Sequence, residues 1–331
     1  LYYNKLLYYN IFMINRIQTY ILIVFISIFS LISSVNAELK VVASIKPLHS
    51  LTSYLMDGVG KPDVIVDGYN SPHNFSLKPS HAKMLENADL VIWIGEDLET
   101  FLEKPLNTIA KKAKNIEVMD IEGIQKLEFR EKNIFEGHDD HKEHDNHKEH
   151  DNHKEHDDHK EHAHGEHDPH VWLDPINAKV IIKEITNQLV QLDSKNSSIY
   201  KSNSKKALAD IDKLVEDIKK KLNKDLRFVV FHDAYQYFEN RFGIQILGAL
   251  TVNTDVMPGA EQLSEIREVI EHEKVNCLFS EPQFNPSIIK SIAKDTKIKT
   301  GILDPLGAKL DKGKSLYFDL LNDMSSSFKG C

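Results

Sequence analysis

Short β-branched runs alternate with amphipathic stretches along this chain, and the series occurs twice, on either side of a stretch almost without apolar content from about residue 135 to 169. The first series predicts strands near 40–44, 63–66, 90–94 and 115–118, separated by helical patterns at 49–57, 80–86 and 98–112. The second predicts strands near 228–231, 244–250, 277–279 and 298–303, with helices at 260–272, 286–294 and 315–328. Apolar strands alternating with helices imply a parallel sheet covered on both faces. At 331 residues the chain exceeds the size at which single cores stop growing. The expected fold is therefore α/β, with two similar lobes, each a parallel four-stranded sheet flanked by helices. Between them Val180, Ile181, Ile185 and Leu189 recur at helical spacing, followed by a more charged helical pattern at 198–222. The expected division is an N-terminal lobe at 38–175, a linker helix at 176–196 and a C-terminal lobe at 197–331. A cleft between such lobes is where a ligand binds.

Residues 1–37 carry Lys5 and Arg16 but no carboxylate, and run almost continuously apolar from Ile17 to Ile32. Val35 and Ala37 supply the small residues of a signal-peptide cleavage site. This predicts an exported, periplasmic protein cleaved after Ala37, with Met13 as the expected true start. The apolar run, about 16 residues, falls short of the ~20 that span a bilayer, so no stable membrane anchor is expected. A mean hydropathy of -0.37 excludes a multi-span membrane protein. In an oxidising compartment Cys277 and Cys331 read as one disulfide, which would contribute ~4 kcal/mol in the chain-entropy model. A thiolate metal pair is the alternative reading.

Twelve of the 17 histidines fall between His138 and His170, together with 12 carboxylates and 4 lysines, a local net charge of -8. Net charge over the whole chain is -9, which disfavours nucleic acid as a partner. The unit HKEHDN repeats, and nine histidines recur at every third residue from His138 to His162 (His138, His141, His144, His147, His150, His153, His156, His159, His162), with His164 and His167 beyond. The loop at 138–167, within the N-terminal lobe, buries too little surface to offset its conformational entropy and is expected to be disordered without metal. These histidines are candidates for weak metal sites; the plainer reading is a solvated repeat.

Outside that segment, His73 lies in a loop after a predicted strand and His232 directly follows one, in different halves. His170 stands where apolar content resumes. Ligands bind beyond the carboxyl ends of parallel strands, and neutral imidazole is a good Zn2+ ligand. Asp304 and Glu281 also follow strands. His81 and His272 read as exposed helix residues, and His49 as a loop or cleft neighbour.

SPHNFSLKPS (71–80), NADLVIWIGEDLETFLEKPL (87–106), PHVWLDP (169–175), FHDAYQYF (231–238), TVNTDVMPGAEQLSEIR (251–267), FSEPQFNP (279–286) and GILDPLG (301–307) carry a joint resemblance. The chain resembles the periplasmic zinc-binding component of bacterial ABC-type zinc uptake systems, within the family of metal-specific solute-binding proteins, over nearly all of its length after residue 37. The resemblance implies metal ligands at His73, His170 and His232, and two lobes joined by one long rigid helix with limited closure. The related manganese branch has a carboxylate where this chain has His232, and nitrogen in its place favours Zn2+. Some zinc members carry a Glu before the first ligand; this chain has Pro72, which leaves Asp304 or water as fourth ligand. Glu281 is expected to orient a ligand histidine. The cysteine pair matches a disulfide of zinc members.

The function implied is high-affinity Zn2+ capture and delivery to an inner-membrane ABC permease with its cytoplasmic ATPase, by a monomer. Alternatives are a manganese or other divalent-metal protein of the same family, or an extracellular zinc store or adhesin. An enzyme is not expected, since no HExxH or paired general base stands out.

Overall fold

The computed structural model describes residues 13, 38–130, 132–134, 166–222, 224–252, 254 and 258–331. The expected export segment, apart from Met13, and the histidines from His138 to His164 lie outside the described residues.

Strands β1 (Val41–Ile45), β2 (Asp63–Val66), β3 (Leu90–Trp93) and β4 (Lys114–Glu117) form a parallel sheet in the order β2-β1-β3-β4. All residues of β1 and β3 are buried, as central strands covered on both faces must be. Helices α1 (Lys46–Leu55), α2 (Pro79–Glu86) and α3 (Thr100–Thr108) connect them. Helix α1 starts earlier than the apolar spacing predicts, because Pro47 occupies its first turn, where a missing N–H costs nothing.

Two helices lead to the second half, α4 (Pro175–Leu192) and α5 (Ser197–Lys221). The expected linker at 176–196 is therefore not one helix, and the long joining helix is α5. Asp193 makes the break: its carboxylate accepts from Asn196 Nδ2 at 2.7 Å and Tyr200 Oη at 2.8 Å, local bonds that compete with helix continuation.

Strands β5 (Arg227–His232), β6 (Gln245–Thr251), β7 (Cys277–Ser280) and β8 (Lys299–Ile302) repeat the first topology, in the order β6-β5-β7-β8. Helices α6 (Gln236–Phe242), α7 (Ala260–His272), α8 (Ser287–Thr296) and α9 (Leu316–Gly330) surround them. Helix α6 is too short and too aromatic to show a period. It closes at Gly243, whose φ of 67° suits a left-handed cap.

One hydrophobic core runs through both halves, from Val41 and Leu48 through Trp172, Ile181 and Tyr200 to Phe228 and Phe328. A second, smaller core behind the second sheet holds Val229, Phe231, Leu250 and Leu278. Helix α5 packs against α1, α4 and α9, and Leu39–Cys331 is one compact unit. The boundaries expected at 175 and 196 do not coincide with a gap in packing. Cys277, on β7, is disulfide-bonded to Cys331 at the end of α9. Among the described residues no helix is long and apolar enough to cross a membrane.

The two ends of the histidine-rich insertion pair with each other. Phe129 N donates to Glu166 O (3.1 Å), Asp168 N to Leu127 O (2.9 Å), and Glu128 bridges His167. Farther along, Ile134 bridges Gly248 on β6. A Cβ at Gly248 would stand 2.6 Å from the Asn133 carbonyl, so this approach requires glycine.

Candidate metal centre

Each half contributes imidazoles because parallel strands end at a common edge. His73 lies in the loop that follows β2. The loop turns at Gly68 (φ 68°), whose N–H donates to Asp67 Oδ1 at 2.8 Å, and His73 N donates to Ser71 Oγ at 3.3 Å. His232 is the last residue of β5. The register of β5 with β7 pairs Val230 with Phe279, which brings Glu281 level with His232 two residues on. His170 precedes a 3-10 turn (Val171–Leu173) that leads into α4. Asp174 caps that helix through Ile176 N at 2.8 Å, and Arg241 holds the same carboxylate at 2.7–2.8 Å.

The structure brings His73, His170 and His232 together. One ligand atom from each lies within 4.8 Å of the others. Ring centroids are 5.5 Å (His73–His170), 5.2 Å (His73–His232) and 4.9 Å (His170–His232) apart. Among the described residues no other group of His, Cys, Asp or Glu converges in this way. The cavity here measures about 10 Å³, the room one water or one ion occupies, and Trp172, Phe284, Pro305 and Leu306 share its lining. A larger hollow of about 590 Å³ beside β4 is lined by carboxylates, including Glu96 and Glu117, with no imidazole.

Carboxylates hold two of the rings by Nδ1. Asp168 Oδ1 stands 2.7 Å from His170 Nδ1 and accepts from His170 N at 2.9 Å. Glu281 stands 3.3 Å from His232 Nδ1. Such partners fix ring orientation and leave Nε2 for a metal. Burial, followed by the charge of His232, holds His170 well below the usual imidazole range, so it is neutral and able to ligate. Burial also opposes the charge on His232, but Glu281, with Asp233 and Asp168, outweighs it and raises that pKa. Burial pushes Asp168 and Asp233 up to about 7. Arg130 offsets part of this negative charge, with Nη1 3.2 Å from Asp233 and Nη2 2.7 Å from Glu239.

Asp304 stands outside the trio. Its Oδ1 accepts from Leu306 N (3.1 Å), Gly307 N (3.0 Å) and Gln283 Nε2 (2.8 Å), and its Oδ2 from Ala308 N (2.6 Å). It shapes the segment whose Pro305 and Leu306 close the cavity. His49 is buried on α1 against the Pro62 carbonyl at 3.2 Å. His81 caps α2 by accepting from Lys78 N, and His272 is exposed at the end of α7. His167 belongs to the base of the insertion. Sequence reasoning did not single out Asp168, although Asp-Pro-His places its carboxylate within reach of the following residues' N–H and ring.

The family described as zinc-uptake complex component A, periplasmic, matches residues 41–331. The chain is 47% identical over 304 residues to the high-affinity zinc uptake system protein ZnuA of Brucella abortus, covering 88% of this chain and 91% of that one. Against the protein of the same name in Haemophilus influenzae, identity is 38% over 326 residues, with 89% and 93% covered. A crystal structure of ZnuA matches with a TM-score of 0.69 at 22% identity, over 88% of this chain and 99% of that one, a likeness of fold.

Proposed function

The chain belongs to the family of periplasmic zinc-uptake component A proteins, and on that premise we propose that His73, His170 and His232 hold the Zn2+ it captures for import. The observation that carries this reading is the convergence of three imidazoles on a cavity sized for one ion, two of them held by buried carboxylates. Three nitrogen donors suit tetrahedral Zn2+ with one open position. With Asp304 bonded to its own loop, water completes the shell. An open position suits a cargo that must be released. Zinc is then delivered to an inner-membrane ABC permease with its ATPase, the protein having been exported by residues 1–37 and cleaved after Ala37. The histidines from His138 to His164 act as weaker collecting sites, where ten carboxylates against four lysines, a net charge of -6, raise the local cation concentration.

Native mass spectrometry of the exported chain with Zn2+ and with Mn2+ tests the reading, combined with chelator competition on single His→Ala variants. One tightly held Zn2+, lost from each variant, is expected. A triple variant lacking the insertion that still holds one Zn2+ at full affinity overturns it.

A further inference from the structure

Lys46 follows β1, and its side chain is only 3% exposed. An ammonium group has three donors. Here they meet the carbonyls of Gly307 (2.6 Å), Ala308 (3.2 Å) and Leu310 (2.7 Å), all contributed by the second half. Burying a charge is costly unless its hydrogen bonds are met, and an apolar residue would fill the same space without that cost. What the charge adds is a grip on residues 307–310.

That segment forms a wall of the metal cavity. Pro305 and Leu306 line it beside the three histidines. Asp304 ties the backbone N–H groups of residues 306–308 from within, and Trp172 Nε1 donates to Pro305 O at 2.8 Å. Lys46 holds the far side. The wall continues to Lys312, which pairs at 2.8 Å with Asp67. Asp67 in turn receives the Gly68 N–H in the turn that leads to His73, and lies 4.0 Å from Lys46. Lys46 and Asp67 therefore connect the wall to the loop that presents a ligand.

We propose that Lys46 is the latch of the metal pocket: its hold on the Gly307, Ala308 and Leu310 carbonyls keeps Pro305 and Leu306 closed over the ion and sets the rate at which zinc leaves. It is a positioning residue and does not touch the ion. The inference rests on the zinc site proposed above.

The test uses the exported chain and Lys46→Met, with zinc release followed by stopped-flow against excess chelator and Co2+ as a spectroscopic probe. Release should accelerate about tenfold or more on losing charged hydrogen bonds to one wall. The Co2+ visible bands should weaken as water enters and coordination rises above four. The zinc-induced gain in Tm should shrink. A lysine with only a structural role would lower the Tm of free and loaded protein together while leaving release and spectrum unchanged, and that result overturns the proposal. If Lys46→Met fails to fold, Asp67→Asn is read in the same way, and unchanged release again overturns it. Lys314→Ala removes the exposed pair with Asp57; release as fast as in Lys46→Met would assign the effect to general loss of charge and overturn the latch. Retention of the Co2+ bands by His232→Ala would instead refute the zinc site itself, whatever Lys46 does.

Discussion

Glu281 stands 3.3 Å from His232 Nδ1, each on the carboxyl end of one of two adjacent parallel strands. The pairing fixes which imidazole nitrogen faces the cavity. Glu281→Ala is expected to weaken zinc binding about 10–100-fold, the usual cost of losing a carboxylate behind a ligand histidine. Glu281→Gln, which can still accept from Nδ1–H, should lose less. Chelator competition on both variants separates orientation from charge.

Zinc affinity should fall as pH drops from 7 to 5, and His232 should set the onset. Its pKa is raised, so on acidification the free protein takes up a proton there before an ordinary histidine would. His170, held well below the usual range, competes only at lower pH. Metal must displace the His232 proton, so affinity declines as pH falls through the raised value. Calorimetry in buffers of different ionisation enthalpy should register proton release on zinc binding near pH 7. Zinc binding that is independent of both pH and buffer would contradict this electrostatic account.

Much of this arrangement is legible in the sequence, and the exceptions have physical causes. Fully apolar strands such as Leu90–Trp93 announce themselves because both faces are buried. His73 and His232 stand out because they follow such strands. Asp168 is hidden among 12 carboxylates of the same stretch, and only the fold shows that it is buried beneath His170. Nothing in the sequence marks Lys46, since its three acceptors lie more than 260 residues away. Asp304 could be ranked as a ligand from its position after a strand, but not as a loop clamp, because three of its four partners are backbone N–H groups, which carry no sequence signal.

Glu99 provides a stability prediction away from the metal. It is fully buried, and one oxygen accepts from Ile94 N at 2.8 Å and Gly95 N at 3.2 Å. Burial pushes its carboxyl up to about 7 from 4.5. The folded state therefore keeps a proton that the unfolded state has lost, and stability declines as pH rises from about 4.5 to 7. The decline is bounded at about 3 kcal/mol for such a shift. Glu99→Gln keeps an oxygen for both donors and has nothing to ionise. Urea unfolding at pH 5 and pH 8 should show the decline in the wild type and its reduction in the variant; equal pH dependence in both would rule Glu99 out as its source.

The last prediction concerns where the histidine-rich insertion can be cut. Removal of residues 138–164 should leave one tight zinc ion and eliminate only weaker binding, because the three proposed ligands lie outside that span. A cut extended through His167 should behave differently. Glu166 and His167 form the returning half of a short pairing with Phe129 and Glu128, and the next residue is Asp168. Tyr237 Oη donates to Asp168 O at 2.7 Å and accepts from Leu127 N at 3.0 Å, while Gln236 Nε2 reaches both Glu128 O (3.1 Å) and Asp168 Oδ2 (3.3 Å). The base of the insertion therefore belongs to the frame that holds Asp168 against His170. Cutting through it should weaken the tight site about tenfold or more, comparable to losing the Asp168 carboxylate itself. Zinc titration of both deletions against a competing chelator decides the matter. Loss of the tight ion from a folded protein lacking only 138–164 would place part of the primary site within the insertion.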